Sequence, residues 1–173
     1  MNPKKRDFEE ITQVRIPKIF SILSERLKNQ FPMNRFYEFG IGETQMSNSI
    51  RSHFNLKSTE EFSGCYVFSE GEEHKYVGIS RNVVLRLRQH LKGKNFTHSS
   101  LAFKITKKKM NLGLTNKESM RNEEFLKEFR NVQKRISTWG LSVIEISDPV
   151  ELYLFEVYAS LKLNTVYNNF ETH

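Results

Sequence analysis

The sequence predicts an α+β fold, with a three-stranded antiparallel sheet flanked by helices and an N-terminal helical extension. Three observations predict it. Two short β-rich runs, Gly64-Cys65-Tyr66-Val67-Phe68 and Lys75-Tyr76-Val77-Gly78-Ile79, are separated by the polar turn Glu70-Gly71-Glu72-Glu73 and read as a hairpin. A third run, residues 140–146, alternates apolar and polar positions as a half-buried strand does. Most of the other patterned segments repeat their apolar residues at helical spacing.

Over residues 8–31, Ile11, Val14, Ile19, Ile22, Leu23 and Leu27 recur at helical spacing, and Pro17 is expected to start, kink or split that helix. Residues 32–62 carry few strong signals, and FYEFGIGETQ reads as a loop. Its Gly40-Ile41-Gly42 lacks the following Lys and the clear strand that a phosphate loop requires. After the hairpin, Ser80 caps a helix that runs to about Lys92 and ends at Gly93, with Val84, Leu87 and Leu91 as its apolar stripe. Residues 99–112 fit a helix capped by Ser99 or Ser100 and ended by Gly113, although the alternation in LAFKI also fits a short strand. Residues 117–137 form a helix with Met120, Phe125, Phe129 and Val132 along one side. Asp148 and Pro149 open a last helix that reaches about Leu163.

Composition narrows the function classes. The 173-residue chain carries a formal net charge of +7 and a pI near 9.5, which favours a polyanionic partner. Cys65 is the single cysteine, so neither an internal disulfide nor a cysteine zinc cluster is available, and a reducing cytosol is the expected compartment. No apolar run approaches the roughly 20 residues of a membrane span, and no uninterrupted apolar core follows the basic start MNPKKRDFEE, so neither a membrane partner nor a secretion signal is expected.

Four features bear on chemistry. From Arg81 through Leu112 there is no Asp or Glu, while Arg81, Arg86, Arg88, Lys92, Lys94, Lys104, Lys107, Lys108 and Lys109 fall in that stretch. A phosphate backbone attracts such a surface through Coulomb energy and counterion release. Tyr66 and Tyr76 lie in the two hairpin runs, and a phenol beside cations can act as a general base. Arg86 and His90 are four apart and share a helix face, pairing a planar phosphate-binding fork with a group that titrates near neutrality. Glu156 sits among Leu152, Phe155, Ala159 and Leu163, with Val157 and Leu161 widening the apolar face. A carboxylate in such a helix needs a salt bridge or a cation, and one carboxylate with several waters is a usual Mg²⁺ arrangement. Glu151 is the competing carboxylate and is expected to be exposed.

In this order and spacing these residues resemble the GIY-YIG nuclease family. The two name motifs read Gly64-Cys65-Tyr66 and Tyr76-Val77-Gly78, with Arg86 ten residues after Tyr76 and His90 four further on. Glu156 stands twelve residues before Asn168, within an ending Thr165-Val166-Tyr167-Asn168 similar to that of the excision-repair members. Cys65 replaces the usual aliphatic residue, and Thr165 stands where proline is frequent. The resemblance covers residues 64–168. It makes residues 63–173 a nuclease domain with a helical insertion around 99–137, and residues 1–62 the N-terminal extension. With five residues after Asn168, an attached DNA-binding domain of the kind that excision-repair and homing members carry is not expected to follow.

The resemblance implies a mechanism. Glu156 would bind one Mg²⁺ or Mn²⁺, Arg86 would neutralise the phosphate, and Tyr66 or Tyr76 would help deprotonate the attacking water. His90 would assist the tyrosine or hold the phosphate, and Asn168 would orient Glu156 or the adjacent backbone. Helices 81–92 and 149–163 would present Arg86 and Glu156 towards one shallow basic face, with Arg81, Arg88, Lys92, Lys94, Lys104 and Lys107 as nucleic-acid contacts. The expected activity is cleavage of DNA, by a monomer or a homodimer. The alternatives are a nuclease for single-stranded DNA or RNA, and a nucleic-acid-binding module that keeps the fold without cutting.

Overall fold

Register within the hairpin determines which side chains share a sheet face, and with it the position of every group discussed below. The computed structural model describes residues 7–37, 41–58, 61–168 and 170. Strand β2 (Gly64–Glu70) and strand β3 (Glu73–Ser80) pair antiparallel, with Tyr66 opposite Gly78 and Phe68 opposite Tyr76. Gly71, at φ 63, makes the turn between them. Strand β4 (Gly140–Glu145) pairs on the other side of β2.

The sheet has four strands where three are expected. Its order is β1-β4-β2-β3, and the extra strand β1 is the short Phe31–Pro32 on the far edge of β4. Those residues fall at the junction of the predicted helix 8–31 and the weakly patterned stretch after it. The helix instead leaves helical geometry at Asn29, and Phe31 buries its ring by pairing beside Leu141. The N-terminal helix is also split. Helix α1 (Phe8–Glu10) runs into a π-helical turn (Ile11–Arg15) and then into α2 (Ile16–Lys28). The amide of Ile16 reaches back to Ile11 just before Pro17, which has no N–H to continue the ordinary ladder.

Residues 32–62 hold two helices that the sequence reading did not place. Helix α3 (Asn34–Tyr37) is short, whereas α4 (Glu43–Phe54) buries Met46, Ile50 and Phe54 at a spacing of four and ends on left-handed Asn55. That stripe was available as a signal but is sparse among polar residues. Gly40 lies outside the described residues, and Gly42 is the N-cap of α4.

Helix α5 (Val83–Lys92) starts at Asn82, whose side chain caps Leu85; the Ser80 hydroxyl bonds to the Asn82 backbone instead. Helix α6 (Ser100–Met110) ends on left-handed Asn111 rather than at Gly113. The predicted helix 117–137 is broken in two. Helix α7 (Asn116–Ser119) has a Thr115–Glu118 capping box, and α8 (Glu123–Ser137) restarts at an Asn122 cap, so two local caps override a continuous periodicity. Helix α9 (Pro149–Lys162) is capped by Asp148. Among the described residues no helix is long and apolar enough to cross a membrane.

The sheet separates two cores. One face carries Tyr66, Phe68, Leu141 and Val143 against α4, α5, α6 and α8. The other carries Cys65, Val67, Val77 and Ile144 against α2 and α9. Helix α9 buries Leu152, Phe155 and Ala159 there, but Val157 and Leu161 are exposed, so the expected widening of its buried face does not occur. Glu151 is buried at 4 % exposure, not exposed as expected, because Arg15 of the π turn reaches it at 2.7 Å.

Gly64 starts β2 so close to β4 that a Cβ there would meet the Ile144 carbonyl oxygen at 2.1 Å. Backbone in a sheet ladder cannot give way as a flexible side chain can. Gly64→Ala is therefore expected to cost about 2–3 kcal/mol, read as a lower midpoint in denaturant unfolding.

Candidate active site

Tyr66 and Tyr76 are diagonal neighbours on one sheet face, with ring centroids 6.2 Å apart. The Tyr66 ring crosses β3 at Gly78, where a Cβ would stand 2.3 Å from the phenol oxygen. The glycine of the Tyr76-Val77-Gly78 motif is thus the gap through which the Tyr66 hydroxyl reaches. His90, one turn beyond Arg86 on α5, meets that hydroxyl with Nε2 at 2.8 Å. Its ring is fully buried, packed edge-on to Phe68 and Tyr76, and its Nδ1 has no hydrogen-bond partner among the described residues. His90 is therefore not a surface residue ready to hold a phosphate. Its contact is Tyr66.

Burial decides the charge states here. It pushes the Tyr66 phenol well above its ordinary range, with Tyr76 adding to the shift and Arg86 opposing it. It also raises the Tyr76 phenol, where Glu156 adds and Arg86 again opposes. Arg86 thus lowers both phenols, as a neighbouring cation should, but without outweighing desolvation. His90 is held well below its ordinary value, first by burial and then by Arg86, so the imidazole is neutral.

Arg86 is fixed by the segment after α5. Its Nη1 donates to the carbonyls of His98 at 2.8 Å and Thr97 at 3.4 Å and to Gln89 Oε1 at 3.1 Å, while Nη2 donates to the Ser100 hydroxyl at 2.7 Å. That segment is itself fastened by α8. Buried Gln133 donates through Nε2 to the Gly93 carbonyl at 2.9 Å and to Ser99 Oγ at 2.6 Å, and Ser99 in turn donates to the Gln89 and His90 carbonyls. Sequence reasoning treated Ser99 and Ser100 only as helix caps and passed over Gln133. A polar residue beside the apolar stripe of α8 was the available signal.

Glu156 comes from the opposite side. Helix α9 packs on the other sheet face from α5, so Arg86 and Glu156 approach from opposite sides of the sheet. They converge across edge strand β3, where Tyr76 feels both charges. Burial raises the Glu156 carboxyl above its ordinary value, and it makes no hydrogen bond or ion pair among the described residues. It opens into a trough of about 450 Å³ that also takes in Arg81 and Tyr153.

Asn168 bonds to backbone. Its Oδ1 accepts from the Val77 amide at 2.8 Å and its Nδ2 donates to the Val77 carbonyl at 2.8 Å, while the Tyr167 amide donates to the Lys75 carbonyl. The chain after α9 thereby covers the outer edge of β3. Asn168 makes no hydrogen bond to Glu156 among the described residues; Thr165 donates to its Oδ1 at 2.8 Å.

The basic residues fall into three places. Arg88, Lys92 and Lys94 line a depression of about 430 Å³ along α5, where Arg88 also pairs with Glu43 at 3.3 Å. Arg81 stands apart in the Glu156 trough. Lys104 and Lys107 are on α6, donating to the Tyr167 carbonyl and to Asn116.

A family model, the GIY-YIG catalytic domain, matches residues 62–158, more than half of the chain. The chain belongs to the GIY-YIG family. No curated protein and no solved structure matches it. GIY-YIG catalytic domains are generally nuclease domains, and the matched segment contains Tyr66, Tyr76, Arg86, His90 and Glu156, with Asn168 beyond it. Among the described residues no group of three or more His, Cys, Asp or Glu side chains is placed to hold a metal. A divalent ion in this GIY-YIG domain would therefore have one protein carboxylate, Glu156, and complete its shell with water and phosphate oxygens. Mg²⁺ accepts that arrangement, and a cation would relieve a carboxylate that burial disfavours, so the donor set fits.

The neutral, buried His90 has a pH signature. The unfolded chain takes up a proton on this side chain near pH 6.5, whereas the folded chain does not, so stability falls as pH drops from about 6.5 to 5.5, by up to about 1.4 kcal/mol per unit. Partly buried His74 is shifted the same way and adds to the slope. Denaturant unfolding across that window is expected to show a shallower loss in His90→Gln than in the unaltered protein.

Proposed function

We propose that this GIY-YIG domain is a metal-dependent endonuclease that hydrolyses phosphodiester bonds in DNA where Tyr76, Arg86 and Glu156 converge. The observation that carries the reading is electrostatic. Glu156 and Arg86 come from helices on opposite sheet faces, yet both act on the Tyr76 phenol, in opposite directions. A phosphate at that point would meet a cation from one side and the carboxylate's metal from the other. Mg²⁺ or Mn²⁺ on Glu156 would supply Lewis-acid stabilisation of the charge that develops on phosphate oxygens.

The chain's own residues do the remaining work. Arg86 is already oriented by Thr97, His98 and Ser100, so little entropy is lost when its remaining donors take a phosphate oxygen. Tyr76, half-buried, orients the attacking water. The water oxygen forms a bond to phosphorus as the bond from phosphorus to the leaving oxygen breaks, and the leaving oxygen takes a proton from solvent. The water proton passes through the phenols towards His90 Nε2, which is 2.8 Å from the Tyr66 hydroxyl. An anion arriving at Arg86 offsets the charge that lowers the proton affinity of His90. Asn168 is a positioning residue that holds β3 through Val77. Arg88, Lys92 and Lys94, with Lys104 and Lys107 further away, take flanking phosphates.

The test is cleavage of supercoiled plasmid with Mg²⁺, with Mn²⁺ and with EDTA. Glu156→Gln and Arg86→Ala are each expected to slow cutting by at least about 10²–10³-fold. Glu156→Gln should still bind DNA, since it removes a negative charge. Absence of metal-dependent cutting by the unaltered protein on plasmid, single-stranded DNA and RNA would overturn the nuclease reading.

A further inference from the structure

The trough beside Glu156 is larger than a single metal ion and its waters need, and its walls are not those of a metal site. Pro149, Leu152, Tyr153 and Glu156 stand at i, i+3, i+4 and i+7 on α9, so one continuous helix face forms one wall. The end of β3 at Ile79 and Ser80, with Arg81 just after it, forms the other. The trough therefore has apolar lining from Ile79, Pro149 and Leu152, an aromatic side chain, one cation, the serines Ser63, Ser80 and Ser147 and, at one end, the carboxylate already assigned to the metal.

Tyr153 is 64 % exposed, in contrast to Tyr158 on the same helix, which packs edge-on against Phe20. Leaving an aromatic ring in water at the mouth of an apolar trough forgoes burial that a planar ligand would supply. Arg81 is exposed and makes no ion pair among the described residues. A volume of about 450 Å³ lies within the range of pockets that enclose small ligands and has no room for a stacked duplex. Aromatic face, apolar lining and free cation, in line with a phosphate-reacting centre, are the parts that recognise one nucleotide.

We propose that this trough binds a single unpaired nucleotide flanking the scissile phosphate, with its base against Tyr153 and its phosphate on Arg81. The proposal rests on the nuclease reading above and adds the strandedness of the substrate. A base held in a duplex is stacked between its neighbours and cannot enter, whereas a base in single-stranded nucleic acid, a flap or a loop enters without unpairing. The enzyme accordingly engages nucleic acid that is unpaired at the cut. The α5 depression, with Arg88, Lys92 and Lys94, takes the adjoining backbone on the other side of β3.

The test uses single-stranded oligonucleotides carrying 2-aminopurine at successive positions, bound in EDTA so that nothing is cut. Binding is expected to quench the fluorescence at one position in the unaltered protein and in Tyr153→Phe. Tyr153→Leu should lose the quench and bind the single strand about 10-fold more weakly, with its affinity for a blunt duplex unchanged. Because Tyr153 is exposed, the variant's thermal unfolding should match that of the unaltered protein. Equal quenching and equal single-strand affinity in Tyr153→Leu would overturn the pocket. If that result comes with metal-dependent cutting, the nuclease reading stands and only the pocket falls. Neither binding nor cutting of any nucleic acid overturns both.

Discussion

The Tyr66 hydroxyl crosses β3 through the gap that Gly78 leaves and meets His90 Nε2 at 2.8 Å in a site closed to solvent. This contact ties the hairpin to α5. The phenol can lie there only because register places Gly78 opposite Tyr66 and because Gly64 lets β2 close tightly on β4. A polar pair in a low-dielectric setting is strong when complete and costly when broken, so the sheet and α5 are held in one arrangement. The same burial keeps His90 uncharged beside Arg86, which leaves the guanidinium as the positive charge that acts on both phenols.

Around that contact the site is assembled across an edge, not inside a cleft. Arg86 approaches β3 from the helix on one face and Glu156 from the helix on the other, and Tyr76 lies where both are felt. Edge strands normally need protection from pairing. Here Asn168 supplies it, by returning both hydrogen bonds to Val77, and Tyr167 adds a third to Lys75. The segment after α9 therefore stabilises the strand that carries Tyr76 while leaving the Glu156 trough open.

Helices α6 and α8 do more than fill the chain between α5 and β4. Gln133 of α8 locks the Gly93–Ser99 segment through buried hydrogen bonds, and that segment locks Arg86 through Thr97 and His98, with Ser100 at the start of α6 adding a further bond. A long flexible cation thereby becomes a fixed one. On the opposite face, the trough that holds Glu156 runs on between Tyr153 of α9 and Arg81 beyond β3.

Much of this protein was legible before folding. Alternation and turn chemistry identified the hairpin, β4 and the long helices. The ordered set of Gly64, Tyr66, Tyr76, Gly78, Arg86, His90 and Glu156 identified the family, because those residues lie at fixed separations on regular elements. The boundaries at Asn29, Asn82, Asn111 and Asn122 escaped, since each depends on a local cap competing with a periodicity that continues past it. By itself the sequence determined the hairpin, β4, the long helices outside residues 32–62 and the motif residues that mark the family. Only the tertiary structure decided that His90 is buried on Tyr66, that Glu151 pairs with Arg15, that Arg86 is held by Gln133 at one remove, and that Arg86 and Glu156 stand on opposite sheet faces. These outcomes depend on which face each helix packs against, and packing is a long-range choice made by burying apolar surface between segments far apart in the chain.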